Sequence, residues 1–128
     1  MDNESKRSLV EFLVDRPEKF GIYFPSIIVT SPVLYRPGTS EVMAVPDLYI
    51  HGRYGKCIVG LFSDSEVPSS LEAIALWECF LGVKENFGTS PELWNLSYDS
   101  QEQHAKGFLL YNGAAARLYL DSRGGRND

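Results

Sequence analysis

Residues able to do chemistry are few in this chain, and they lie far apart. His51 and Cys57 flank a stretch holding two glycines, so a turn there would bring them together. With a carboxylate such as Asp47 they would supply a nucleophile, a base and an orienting acid. Nothing local supports an activated thiolate, and the plainer reading is a turn histidine and a core cysteine. His104 lies near Asp99 and Glu102, and one helical turn would present two of these ligands together. Two histidines and two cysteines scattered along the chain, however, give no CxxC or HExxH spacing, so no metal is expected. Glu78 and Glu85 stand two helical turns apart, about 10 Å by rise, which is at or beyond the long end of the inverting-glycosidase range. Gly52-Arg53-Tyr54-Gly55-Lys56 joins glycines to two cations, as a phosphate cradle does, but it precedes a strand rather than a helix. Arg53 and Tyr54 at its tip are of the residue types that anchor partners. No reaction and no cofactor is indicated, and the protein reads as non-catalytic.

Charge is the more informative signal. Residues 1–56 carry seven acids and seven bases. Residues 57–105 carry Asp64, Glu66, Glu72, Glu78, Glu85, Glu92, Asp99 and Glu102 against Lys84 alone, a net of −7. Residues 106–128 return +2, which leaves −5 for the chain. Such a balance disfavours nucleic acid or an anionic membrane as the main partner. The bland reading is that these acids solubilise a helix and its flanking loops. The sharper one is an acidic surface around residues 64–102 that steers and docks a basic protein, as an inhibitor or immunity-type protein would dock a toxin or nuclease. On that reading the contact residues are Asp64, Glu66, Glu72, Glu78 and Glu85, with Arg53 and Tyr54 from the turn.

The elements that must position these residues follow from spacing and punctuation. Leu9, Phe12 and Leu13 at i, i+3, i+4 predict an N-terminal helix over 5–16, stopped by Pro17. Residues 22–30 are rich in β-branched and aromatic side chains and read as a strand, which Pro25 places at an edge or a bulge. Val33–Tyr35 extends that pairing. Residues 42–50 and 56–62 form a hairpin around the two glycines. Ser69-Ser70-Leu71-Glu72 is a capping box that opens a helix running to Phe87, with Gly88 past its end. Apolar residues spread over so wide an arc that this helix should be mostly buried against a sheet. Thr89-Ser90-Pro91-Glu92 has the form of a helix cap with Pro91 at N1, but Trp94, Leu96 and Tyr98 alternate with Asn95 and Ser97, which favours a strand. Asp99 to Glu102 resembles a helix start, with Gly107 as its stop. Residues 108–111 and 115–120 flank Asn112-Gly113, a type I′ hairpin signal, against the rival of a helix–turn–helix with Gly113 as C-cap, since alanines 114–116 favour helix.

The chain therefore reads as an α+β fold, with a mostly antiparallel sheet packed against the 69–87 helix and an N-terminal helix on an edge or second face. Residues 1–121 form one domain, and 122–128 a disordered polar tail. The core should include Phe12, Leu13, Ile27, Val29, Leu48, Ile50, Ile58, Leu61, Leu76, Trp77, Phe80 and Val83. Cys57 and Cys79 read as small core hydrophobes in a reducing cytoplasm. No segment has the length of a membrane span or the form of a signal sequence. Two further readings stand beside the docking one. The first is a small-ligand-binding domain or small enzyme with a pocket between sheet and helix. The second is a homodimer formed where Leu71, Ala75 and Gly82 allow close helix approach.

Overall fold

A computed structural model describes residues 1–99, 104–111 and 114–120. The architecture is α+β. Helix α1 (Asn3–Val14) starts two residues before the predicted boundary, because the Asp2 carboxylate accepts the Ser5 N–H and caps it. A 3-10 turn over Pro17–Phe20 follows. The strands are β1 (Pro25–Thr30), β2 (Leu34–Tyr35), β3 (Val42–Ala44), β4 (Leu48–Gly52) and β5 (Cys57–Phe62). Helix α2 (Ser70–Phe87) comes next, then β6 (Glu92–Asp99), β7 (His104–Tyr111) and β8 (Ala114–Tyr119). Six strands form one sheet in the order β1-β4-β5-β6-β7-β8, and β2 pairs β3 separately. Every neighbouring pair is antiparallel except β5–β6. That parallel pair needs a long crossover, and α2 supplies it.

Each face of the sheet carries its own core. Leu9 and Leu13 of α1, with Phe20 and Ile22, pack on Leu48, Ile50, Ile58, Trp94 and Leu96. Leu76, Cys79 and Val83 of α2, with Leu34, pack on Tyr49, Cys57, Val59 and Leu93 of the opposite face. The alternation read in residues 93–98 is therefore real, yet both faces of β6 are covered. Asn95 is fully buried, and its amide donates to the carbonyls of Ser65 and Glu66, pinning the loop before α2 onto the sheet. The α1 helix covers the second face, one of the two positions expected for it.

Several expectations need correction. Ile27 and Val29 are exposed, because β1 is the edge strand and α2 does not reach over it. Trp77 is also exposed and is not core. Residues 42–50 are not one strand: β3 joins β2, and β4 joins the main sheet. Tyr23 and Phe24 precede β1 rather than belonging to it. The predicted helix from Asp99 does not extend to Gly107, which lies within β7. There Trp94 and Leu120 pack so closely that a Cβ would come within 2.7 Å of the indole. Asp99 and His104 stand opposite each other across β6–β7 rather than one helical turn apart, and Glu102 lies outside the described residues. Gly82 packs against Leu34 inside the fold, so it offers no close approach to a second helix. The turn at Asn112-Gly113 and the 122–128 tail lie outside the described residues; the β7–β8 pairing that the turn signal implies is present.

Candidate functional site

The clearest helix signal in the sequence builds the site. The Ser69 hydroxyl accepts the Glu72 N–H, and the Glu72 carboxylate accepts the Ser69 N–H, so the capping box forms in full. Gly88 closes the helix at φ +72°. Eighteen residues rise about 27 Å, enough to cross the sheet. Leu76, Cys79 and Val83 fall on one side and face the sheet. The apolar residues on the other side are left in solvent: Leu71 is 79% exposed, Ile74 57% and Trp77 53%. They succeed one another at i+3, and so form a stripe along the outer face. Trp77 stacks on Phe80 with ring centroids 4.9 Å apart, and the Lys84 ammonium lies over the Phe80 ring. Glu78 and Glu85, at i+7 and i+14 from Leu71, continue the same face.

The five carboxylates read as a docking surface have different occupations. The amino terminus of Met1 pairs with Asp64. Lys106 lies 3.5 Å from Glu66. Glu72 is held by the Ser63 hydroxyl and by the cap; those hydrogen bonds, Ser63 first and the Ser69 N–H second, draw its carboxyl below the usual range. Glu78 and Glu85 alone of the five are exposed with no ion pair or hydrogen bond among the described residues. Of the five candidate carboxylates, the two left without a partner among the described residues thus lie on the outer face of α2, beside Leu71, Ile74 and Trp77. Ile74 and Trp77 read as buried in the sequence because they are hydrophobic, whereas Leu71 already falls on the face of Glu78 and Glu85, where it is read as a dimer contact. The available signal was that a helix packed on one side of a sheet cannot bury apolar residues all the way round.

Arg53 and Tyr54 sit elsewhere, at the exposed β4–β5 turn, in a cleft to which α2 contributes no residue. The nucleophile arrangement does not form. His51 and Cys57 are directly opposed across β4–β5, but the Cys57 thiol donates to the Thr89 hydroxyl at 3.4 Å. Burial pushes that thiol's pKa up, the reverse of activation. His51 Nδ1 is 2.9 Å from the Tyr49 hydroxyl, whose pKa burial raises to about 12. Asp47 Oδ2 is occupied in accepting the Phe62 N–H at 2.7 Å. Tyr49 and His51 instead form the polar floor of an open groove of about 350 Å³. The walls of this groove are apolar and include Ile27, Val29, Val33 and Phe87. Both cysteines are free and buried, and no described helix is long and apolar enough to cross a membrane. Compared with protein-family models, curated proteins and solved structures, the chain matches none.

Proposed function

We propose that the protein is a non-catalytic binding protein that docks a basic partner protein on the outer face of α2. One observation carries this reading: Leu71, Ile74 and Trp77 are more than half exposed on the same helix face as Glu78 and Glu85. Apolar side chains left in water on a folded domain mark contact surfaces, and tryptophan is among the strongest anchors. The two carboxylates select a partner of opposite charge and speed its approach. The mechanism is occlusion: a face about 21 Å long from Leu71 to Glu85, laid over a basic site, blocks it without chemistry or cofactor, as an inhibitor or immunity protein would.

The test is paired capture from the native host at low salt. Wild-type protein is compared with Trp77→Ala and with the double variant Glu78→Lys/Glu85→Lys. A basic protein retained by the wild type and lost from both variants supports the reading. Equal retention by all three refutes it.

The groove above Tyr49 and His51 favours a second reading, a small-ligand site between sheet and helix. A buried phenol hydrogen-bonded to an imidazole at the floor of an apolar groove can orient an apolar molecule through one polar atom. Substitution of His51, and not of Trp77, would then abolish function.

A further inference from the structure

We infer that the cleft at the β4–β5 turn binds a small aromatic anion, a single ring system carrying a phosphate or carboxylate. The cleft has a volume of about 250 Å³ and lies between the β4–β5 turn and the segment that leads from the 3-10 turn into β1. Three aromatic rings line it in the open: Tyr23 is 72% exposed, Phe24 57% and Tyr54 81%. Phe24 and Tyr54 stand edge to face, with centroids 5.9 Å apart. Two cations, Arg53 and Lys56, share the lining, in a chain whose net charge is −5.

The cleft is built before any ligand arrives. The Arg53 N–H donates to the Phe24 carbonyl at 2.8 Å and ties the two walls together. The Gly52 N–H donates to the Lys56 backbone carbonyl at 2.7 Å, and the Gly55 N–H donates to the Gly52 carbonyl at 3.1 Å, fixing the turn. Gly21 adopts φ +77°, and a Cβ there would sit 2.6 Å from the Lys56 ammonium, so the lack of a side chain leaves room for that charge on the wall. Glu92 lies 3.6 Å from Lys56 and is mostly buried, while the Lys56 side chain is 44% exposed.

The rings offer a ligand π-faces and edges for stacking. A guanidinium fork and an ammonium offer charge-assisted hydrogen bonds to an oxyanion. Neither set alone would need the other. Together they select a molecule that is flat at one end and negative at the other, and the volume limits it to one ring system rather than a dinucleotide. The site is independent of the α2 face.

The test titrates isotopically labelled full-length protein with phenyl phosphate at low salt, followed by amide NMR. The expected result is saturable shifts confined to residues 21–24 and 52–56. Benzyl alcohol, which has the ring without the charge, and inorganic phosphate, which has the charge without the ring, should each bind roughly tenfold more weakly or worse. Arg53→Ala and Tyr54→Ala, both at an exposed turn, should each weaken phenyl phosphate by a similar factor, with the unfolding midpoint unchanged. The inference is overturned by the absence of saturable binding, by shifts that map elsewhere, by equal affinity for either half-ligand, or by indifference to both substitutions.

Discussion

Trp77→Ala and Leu76→Ala, adjacent in sequence, should separate the two faces of α2 cleanly. Leu76 is fully buried between α2 and the sheet. Its truncation leaves a cavity and should cost about 2–5 kcal/mol. Trp77 is 53% exposed, so roughly 120 Å² of the ~250 Å² of a tryptophan leaves water on folding. At ~25 cal/mol/Å² that is at most about 3 kcal/mol. The unfolded chain already hides part of this area, and alanine regains about 0.5 kcal/mol of helix propensity. The net cost of Trp77→Ala is therefore about 1–2 kcal/mol. The assay is urea unfolding followed by circular dichroism, with the m-value checked for constancy. Leu76→Ala should lower the midpoint further than Trp77→Ala. If Trp77→Ala is as damaging as Leu76→Ala, the tryptophan belongs to the core and the outer face is not a free surface.

Glu72 should contribute a pH-dependent part of the stability. Its carboxyl lies below the ordinary value of 4.5 in the folded state, so its contribution is complete above that value and is lost as pH falls through the folded one. Glu72→Gln keeps a side chain able to complete the cap but lacks the charge, so its unfolding free energy should fall less between neutral and acidic pH; identical slopes would refute this. Gly107→Ala should destabilise by about 1–3 kcal/mol, because the new methyl meets the buried Trp94 indole at 2.7 Å and Leu120 at 3.0 Å; an unchanged urea midpoint would contradict the packing. Cys57 and Cys79 should resist iodoacetamide in the native protein at mildly alkaline pH and react once it is unfolded, since both are 2% exposed and burial raises both thiol pKa values, that of Cys79 to about 12. Rapid native labelling of either would contradict that.

What could be read in the sequence was what short-range chemistry decides. Ser69 and Glu72 close their box within one turn, Gly88 ends the helix where a left-handed residue is needed, and the two glycines between β4 and β5 mark their turn. The alternation around Trp94 favoured the strand that β6 forms over a helix opened by Pro91. What failed was whatever depends on distant contacts. The burial of Ile27 and Val29 turned on whether a helix reaches the sheet edge, which no local pattern encodes. Hydrophobicity alone could not tell Leu76, which faces the sheet, from Trp77, which faces away. Charge suffered likewise: Asp64 is met by the amino terminus and Glu66 by Lys106, partners from opposite ends of the sequence. The acidic stretch is real as composition, but the fold engages three of its five candidate carboxylates before a partner arrives and leaves Glu78 and Glu85.

The most direct test of the α2 face is the affinity of the captured, purified partner for wild type, Trp77→Ala and Glu78→Lys/Glu85→Lys, each at low and high salt. Trp77→Ala should weaken binding by about 2 kcal/mol or more, roughly 30-fold, at both salt concentrations. The double charge reversal should weaken it strongly at low salt and far less at high salt, where the Coulombic contribution is screened. Affinities that match the wild type across all four variant measurements would contradict the account.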